Sequence, residues 1–391
     1  MSEAVKRETP PQALLRRALI TRFTVEEVLI VPIIAVIVAL ILGAITMLAT
    51  GVDLFTIERA FAALFTGSLG SVYALSETLT AAAPLTLAGL GIALGFRAGL
   101  FNIGAEGQLL IGGMAAVIVG FSFAGLPAAI HLPLALLAGA LFGALWASIA
   151  GWLRAATGAH EVITTIMLNL ISFRLVDYLL RFPWIQRPGR ADPISRSVLD
   201  SAELPKLLTW LDPNLRLHAG IFVMLAAVAV VYWLLFRTTL GYEFRSAGAN
   251  PDAARYAGMR SGFLIVAVMA LAGALAGLAG ANQVLGVLGR ASPGFSAGIG
   301  FDAIAVALLG RGHPVGVLLA GLLFGALEAG GRQMQVSAGV SIDLISIIQA
   351  LIIVFIAAPM LVRTVFPWAF QKSGRAEKAA APGRPTPQGS G

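Results

Sequence analysis

Residues Val28–Thr50 read VLIVPIIAVIVALILGAITMLAT, a run of 23 residues without a charge. A helix needs about 20 apolar residues to cross the hydrocarbon of a bilayer, and the core of a signal peptide is shorter, roughly 7–15 residues. We therefore expect a retained membrane helix here. Nine more apolar segments follow, at 78–96, 106–124, 131–152, 161–180, 218–236, 262–282, 300–310, 314–331 and 343–363. The sequence predicts an all-α, polytopic integral membrane protein with about ten transmembrane or re-entrant helices. The segment 300–310 is too short to cross alone and is expected to be re-entrant or broken.

The composition supports lipid as the solvent. Of 391 residues, 58% are apolar and 12% are charged, whereas soluble domains carry roughly 25% charged residues. The 44 glycines suit helices that pack backbone against backbone within a bilayer. The chain has no cysteine, which excludes disulfides, thiol nucleophiles and thiolate metal sites.

The distribution of basic residues predicts the topology. With the N-terminus cytoplasmic and all ten segments crossing, 17 of the 27 Lys and Arg residues lie inside, nine lie outside and Arg174 lies within a span. This excess agrees with the positive-inside rule and also places the C-terminus in the cytoplasm. The predicted parts are a cytoplasmic arm (1–27), a transmembrane domain (28–370) with an outer loop (181–217) and an inner loop (238–260), and a disordered cytoplasmic tail (371–391).

The inner loop contains SAGANPDAARYAG at 246–258, which predicts a short capped helix. Asn250 suits the N-cap, Pro251 the first helical position, Asp252 the positive helix end and Gly258 the C-terminal stop. About two turns of helix are too short to persist alone in water. Such a helix either docks against another molecule or forms a stiff connector on the lipid headgroups.

A second motif, GFRAGLFNIGAEGQ at 95–108, combines small residues with polar ones. Asn102 and Glu106 are four residues apart and share a face if the stretch is helical. A carboxylate beside an apolar span is costly and points to a partner or a water-filled cavity. Glu106 therefore either lines a pathway or pairs with Arg97 to fix a loop.

A polar stripe marks the span that begins at Glu161. Glu161, Thr165 and Asn169 recur at every fourth residue, with Ser172 close to the same stripe. Such a stripe belongs on the interior of a helix bundle, where it lines a pathway or joins helices. The remaining polar groups at membrane depth suit a neutral polar solute and are Asn282, Gln283, Asp302, Ser346 and Gln349.

Several motifs of enzymes are missing from the sequence. It contains no G-x-x-x-x-G-K-[ST] phosphate loop and no H-E-x-x-H metal motif, and its four histidines are scattered. We expect neither catalysis, nor a cofactor, nor a metal ion, and the chain cannot bind ATP phosphates through a phosphate loop.

Four blocks together resemble the ABC-importer permeases of the sugar, nucleoside and branched-chain amino-acid group, over roughly residues 80–370. They are Gly95–Gly113 (GFRAGLFNIGAEGQLLIGG), Leu168–Leu170 (LNL), Arg245–Gly258 and Gly300–Gly325 (GFDAIAVALLGRGHPVGVLLAGLLFG). The stretch FRAGLFNIGAEGQ is similar to the sequence of one of the two permeases of bacterial nucleoside importers. The arm 1–27 is longer than a minimal member of this group needs, and the loop 181–217 matches no motif of the group.

The resemblance implies a set of partners in the bacterial inner membrane. Two permeases form the pore, two cytoplasmic ATP-binding cassette ATPases drive it, and an extracytoplasmic solute-binding protein or lipoprotein delivers the solute. A heterodimer with a second homologous permease is expected, and a homodimer remains open. The chain is also expected to contact membrane lipid, and it is not expected to bind nucleic acid.

The resemblance also implies roles for particular residues in nucleoside import by alternating access. The residues expected to couple the permease to the ATPase are Arg245, Asn250, Pro251, Asp252, Arg255, Tyr256 and Gly258. The residues expected along the substrate pathway are Asn102, Glu106, Thr165, Asn169, Gln283 and Asp302.

Alternatives to this function remain. The solute is alternatively a simple sugar or a free purine base. A proton-coupled secondary transporter with Glu106, Glu161 or Asp302 as proton carriers, and a passive channel, are two further function classes.

Overall fold

A computed structural model describes the backbone of residues 25–341, 343–344, 346–347, 350–351 and 354, with side chains from residue 36 onward. Most of the arm 1–27, most of the segment 343–363 and the whole tail 371–391 lie outside these residues. The helices with described bounds are α1 (Val25–Ala49), α2 (Leu54–Leu69), α3 (Val72–Arg97), α4 (Ala105–Ser122), α5 (Ala128–Thr157), α6 (Glu161–Leu179), α7 (Gly220–Arg237), α8 (Thr239–Ala249), α9 (Pro251–Tyr256), α10 (Ser261–Gln283), α11 (Ile299–Leu309) and α12 (Pro314–Ala338).

The described residues divide into two compact units, 25–46 with 350–354 and 47–349. In the first unit, the part of α1 with described side chains exposes Ile37, Ile41 and Ile45, each more than half accessible. Because these residues are four apart, they form one apolar stripe on the helix. The helices α2 to α12 all belong to the second unit.

Seven of the described helices are long and apolar enough to cross a membrane, namely α3, α4, α5, α6, α7, α10 with the π-helical turn Val284–Leu288, and α12. Each contains or overlaps one of the predicted spans, so the prediction of an all-α polytopic membrane protein is confirmed. The sequence pattern missed α2 and α8, since neither is apolar along its whole length. In α2, the residues that alternate with the exposed Glu58 and Arg59 are buried, for example Ile57 and Ala60.

The helix α5 has large residues on its outer face and small residues on its inner face, the reverse of a helix that packs on a soluble core. On α5, the exposed side chains include Leu137, Leu141 and Leu145, whereas Gly139 and Gly143 on the opposite face are buried. Exposed apolar stripes of this length are rare on soluble monomers. They are what lipid tails require, and the small inner face permits close helix packing.

One of the closest helix contacts joins α5 to α10 through glycines. A methyl group at Gly277 would lie 2.1 Å from the carbonyl oxygen of Gly139, and one at Gly273 would lie 2.3 Å from that of Gly143. Any larger residue would therefore force the two backbones apart. The expectation that glycines let helices pack backbone against backbone is confirmed at this contact.

The two ends of the bundle have different character. One end holds α8 and the last residue of α3, Arg97, and we call it the basic end. There α8 packs against the turn after α3, and the Arg97 Nε donates to the Gly312 carbonyl at 2.8 Å. At the opposite end, the cap end, residues 181–217 form an irregular cap with one 3₁₀ turn (Asp200–Ala202) and two isolated β-bridges. The Val198 amide donates to the Gly289 carbonyl at 2.9 Å, which fastens the cap to the end of the π-helical turn.

The chain returns from the cap end to the basic end through a broken helix. Ala291 accepts a hydrogen bond from the cap, Phe295 and Ser296 contact α4, and α11 then continues to the turn beside Arg97. Irregular backbone at membrane depth is tolerated where protein buries it. The expectation that 300–310 is a short, broken segment is confirmed.

Candidate functional site

The helix α9 projects from the basic end with little support from its own chain. The Asn250 side chain accepts a hydrogen bond from the Ala253 amide at 3.0 Å, Pro251 occupies the first turn, and Gly258 follows the helix with a φ of +84°. Among the six residues of α9, only Ala254 is buried, and Tyr256 is 98% exposed. The predicted capped helix is confirmed, and its exposed aromatic and basic side chains are free to contact another molecule.

A second helix, α8, connects α9 to the rest of the bundle. A methyl group at Gly248 would lie 2.2 Å from the Arg97 carbonyl oxygen, so α8 rests directly on the turn after α3. The guanidinium of Arg245 lies 5.3 Å from the centre of the Phe236 ring, a cation–π distance. Of the residues predicted for coupling, Arg245 is therefore packed on its own chain, whereas Arg255 and Tyr256 face outward.

Four of the residues predicted to line the pathway lie together in one buried polar cluster at the start of α4. We call Asn102, Glu106, Gln108, Thr165 and Asn169 the inner cluster. The Asn102 and Gln108 amides exchange two hydrogen bonds of 3.0 Å, and the Gly104 amide donates to the Asn102 oxygen at 2.9 Å. Asn102 is 1% exposed and Gln108 is 2% exposed. These bonds close the loop before α4 on itself.

The polar stripe of α6 faces the same loop. Asn169 accepts from the Gly107 amide and donates to the Ile103 carbonyl, both at 2.9 Å. The Thr165 hydroxyl donates to the Glu161 carbonyl at 2.7 Å, within its own helix. The stripe is therefore on the bundle interior as predicted, and Asn169 joins α6 to α4.

Glu106 completes the inner cluster and is 1% exposed. Its carboxylate accepts from the Ser296 hydroxyl and, at 2.7 Å, from the Gly300 amide. The alternative pairing with Arg97 is wrong, because Arg97 donates to Gly312 and Glu106 has these other partners. Glu106 instead joins α4 to the irregular segment before α11. Glu161, the first residue of the stripe, forms an ion pair with Arg154.

The other two predicted pathway residues, Gln283 and Asp302, line a separate cavity toward the cap end. This cavity, which we call the cap cavity, has a volume of about 370 Å³. Cavities that hold small ligands begin at about 300 Å³. Its walls come from α3, α10, the π-helical turn, α11 and α12, and Ser346 also contributes. The structure thus separates the six predicted residues into four in the inner cluster and two at the cap cavity.

A network of ion pairs forms one wall of the cap cavity. The guanidinium groups of Arg216 and Arg332 donate to one oxygen of Glu77, at 3.1 and 3.3 Å, and Arg332 also binds Glu328. Arg216 and Arg332 also line a neighbouring cavity of about 510 Å³. The network therefore stands between two cavities and ties the cap to α3 and α12.

The sequence interpretation missed the four members of this network. Two signals were present: Glu77 is a lone carboxylate in an apolar helix, and Glu328 and Arg332 are four residues apart on α12. Arg216 gives no such signal, because its partners are more than 100 positions away. Within the described residues, no group of three or more His, Cys, Asp or Glu side chains is placed to hold a metal ion.

Comparison with known proteins assigns the chain to a family. The family described as "Branched-chain amino acid transport system / permease component" matches residues 74–357. The chain belongs to this permease family. It is therefore a transport protein rather than an enzyme, and a multi-pass membrane protein, as its seven long apolar helices require.

The permease is similar to several characterised relatives along most of their length. It is 42% identical to the guanosine ABC transporter permease protein NupP of Bacillus subtilis strain 168, over 86% of this chain and 95% of NupP. It is 41% identical to the glucose ABC transporter permease protein TsgB13 of Haloferax volcanii, over 83% of this chain and 86% of TsgB13. It is 35% identical to the nucleoside ABC transporter permease protein NupB of Lactococcus lactis, over 86% of this chain and 93% of NupB.

In two of these organisms, a second and more distant permease is named for the same solutes. NupQ of the same Bacillus strain is 26% identical to this chain, and NupC of the same Lactococcus strain is 28% identical. Permeases of this kind thus occur in pairs and belong to ABC transporters, which implies an ATPase and a second permease as partners. No solved structure matches the chain.

Proposed function

We propose that the permease carries nucleosides across a bacterial inner membrane as one of two transmembrane subunits of an ABC importer. The observation that carries this proposal is the 42% identity to a guanosine permease over nearly the whole of both chains. The similarity to NupB adds a second relative named for nucleosides. A homologous second permease completes the pore in this proposal, as the pairs NupP and NupQ or NupB and NupC suggest.

The helix α9 is the proposed coupling helix, which binds a groove of the cytoplasmic ATPase. Arg255 and Tyr256 are its proposed contact residues, because both are exposed on this short projecting helix, of which only Ala254 is buried. Asn250, Pro251, Asp252 and Gly258 fix the start and the end of the helix. The proposed role of Arg245 is to hold α8 against Phe236, so that α8 and α9 move together.

A chain of contacts leads from α9 to the cap cavity. Movement of α9 reaches α8, and Gly248 of α8 presses on the backbone of Arg97. Arg97 is in turn bonded to Gly312 in the turn after α11, and α11 carries Asp302. Closure of the ATPase dimer would tilt α7 and α10, on either side of α8 and α9, and reach Asp302 through this route. We propose that this rocking alternates the access of the cavity between the two sides of the membrane.

The proposed solute contacts are Gln283 and Asp302, because they face an open cavity. For Asn102, Glu106, Thr165 and Asn169, the pathway role stays a prediction, and their hydrogen bonds support a role in holding α4, α6 and the segment before α11 together. Weak contact with the solute is sufficient in a conduit that receives its cargo from a separate extracytoplasmic solute-binding protein or lipoprotein, for which the outer loop 181–217 is the proposed contact.

Simple sugars are the second candidate solutes, because the glucose permease TsgB13 is nearly as similar to this chain as NupP. Uptake of labelled guanosine, glucose and guanine should be measured in parallel, in cells that lack the chain and in cells complemented with it. We expect the wild type to restore guanosine uptake. Restoration of glucose or guanine uptake alone would show that the nucleoside assignment is wrong.

The coupling proposal is tested with the double variant Arg255→Ala/Tyr256→Ala in the same cells. We expect normal amounts of the variant in the membrane, loss of uptake and loss of ATPase co-purification. The matched control is Arg237→Ala/Tyr242→Ala, which removes the same residue types from exposed positions outside α9. If the α9 variant transports as well as the control, α9 is not the coupling helix and a gradient-driven carrier becomes the better account.

A further inference from the structure

Asp302 differs from the other charged groups of the cap cavity. Arg216 and Arg332 share Glu77, and Arg332 also binds Glu328, so these four side chains neutralise one another. Asp302 lines the same cavity but has no ion-pair partner among the described residues. The carboxylate therefore gives the cavity one negative charge that no ion pair compensates in the described part of the chain.

The fold places this charge where it is tolerated and accessible. Asp302 lies in the first turn of α11, where the helix dipole favours a negative group. Its side chain is exposed to the cavity rather than packed. The two carboxylate oxygens remain available as acceptors for a ligand that enters the cavity.

The rest of the cavity wall is neutral and able to hydrogen-bond. Gln283 is half-buried on the wall formed by α10 and has no side-chain hydrogen bond within the described residues. Thr80 and Ser346 add hydroxyl groups. An amide both donates and accepts, whereas an ionised carboxylate only accepts. The cavity thus offers the two acceptor oxygens of Asp302, an acceptor pair, on one wall. On another wall it offers the Gln283 amide, which both donates and accepts.

A solute with two adjacent hydroxyl groups matches the acceptor pair. Two hydroxyls on neighbouring ring carbons can each donate to one oxygen of the same carboxylate, and such charge-assisted bonds are stronger than neutral ones. A phosphate group would instead be repelled by the uncompensated charge. A free base lacks the pair of hydroxyls.

We propose that Asp302 is the specificity-determining residue of the cap cavity and recognises the vicinal hydroxyls of a sugar ring. The substrate class is then neutral glycosyl compounds, including ribonucleosides, rather than free bases or phosphorylated nucleosides. This inference rests on the proposed function, since it takes the cap cavity as part of the solute pathway.

The test compares guanosine with 2′,3′-dideoxyguanosine, which lacks both hydroxyls. ATP-driven uptake of each is measured in proteoliposomes that contain the complete importer, with the wild type, Asp302→Asn or the control Glu58→Gln, an exposed carboxylate on α2. The solute-binding protein is the same in every sample, so a change in the ratio of the two uptake rates reports on the permease. We expect Asp302→Asn to lower this ratio on the order of tenfold, as loss of a charge-assisted bond predicts, and Glu58→Gln to leave it unchanged.

A second measurement does not depend on replacing Asp302. Because the chain has no cysteine, Ser346→Cys introduces a single thiol at the cavity wall, whose labelling by a fluorescent maleimide can be followed on a gel. We expect guanosine to slow this labelling and dideoxyguanosine to slow it much less.

The outcomes separate the two proposals. If the wild-type importer does not take up guanosine with ATP, the proposed function fails. If it does, but Asp302→Asn leaves the ratio unchanged, the specificity role of Asp302 is wrong while the proposed function stands. Equal protection of the introduced thiol by both nucleosides, or by neither, would also overturn the specificity role.

Discussion

The inner cluster and the cap cavity both place amides and carboxylates at membrane depth, yet they differ in where the hydrogen bonds go. In the inner cluster, Glu106 and Asn169 satisfy backbone and side-chain groups of neighbouring segments. At the cap cavity, Gln283 and Asp302 face open space. Polar groups whose bonds are all internal hold helices together, and polar groups with unused bonding capacity are available to a solute. Substitutions in the first region should therefore reduce stability, and those in the second should change transport.

The largest expected effect is that of Glu106→Ala. The Ser296 hydroxyl and the Gly300 amide would both lose a buried acceptor, which should cost on the order of 3 kcal/mol. We expect a lower midpoint of thermal unfolding in detergent and a reduced amount of protein in the membrane. The control is Glu58→Ala, an exposed carboxylate on α2. If Glu106→Ala is as stable as this control but does not transport, Glu106 belongs to the pathway after all.

The sequence alone predicts which residues are polar at membrane depth, but not which of the two regions they join. Asn169 and Gln283 are both amides in apolar helices, and nothing local distinguishes them. Their roles depend on partners distant in sequence, since Asn169 meets residues 103 and 107 only after α4 and α6 pack. The capped helix α9 was predictable because its signals are local. The helix α2 was not, since Glu58 and Arg59 interrupt its apolar sequence and its burial depends on α12.

A third kind of polar group, buried without a full set of partners, lies between these extremes at the cap end. His218 precedes α7 and is 1% exposed, and its Nδ1 accepts from the Gly220 amide at 3.2 Å, which places the proton on Nε2. Nε2 itself is buried without a partner in the described structure. Burial and, to a lesser degree, Arg216 lower the pKa of His218 to about 4.

This histidine predicts a dependence of stability on pH. The unfolded chain takes up the proton near the ordinary pKa of about 6.5, before the folded chain does, so stability is fully present above that pH and falls as the pH approaches 4. Between pH 7.5 and 5, the expected loss from this residue is about 2 kcal/mol. Thermal unfolding of the wild type should therefore show a larger decrease over this range than that of His218→Gln. The control His160→Gln removes a largely exposed ring and should behave as the wild type. An equal pH dependence in His218→Gln would contradict the assignment.

The smallest effect comes from removing one amide in each region, and it tests the comparison most directly. Asn169→Leu leaves the Gly107 amide and the Ile103 carbonyl without partners, and interhelical bonds in membrane proteins contribute about 0.6 kcal/mol on average and at most about 1.7. We therefore expect a loss of about 1 kcal/mol in Asn169→Leu. Gln283→Leu breaks no side-chain bond in the described residues and should change stability by less than about 0.5 kcal/mol. Gln283→Leu should lower uptake more than Asn169→Leu when both variants are compared at equal amounts in the membrane, because of these two residues only Gln283 faces the cavity. The opposite outcome is that Asn169→Leu lowers uptake more than Gln283→Leu at equal stability. In that case the inner cluster lines the pathway, and a full set of internal hydrogen bonds does not exclude a role in transport in this fold.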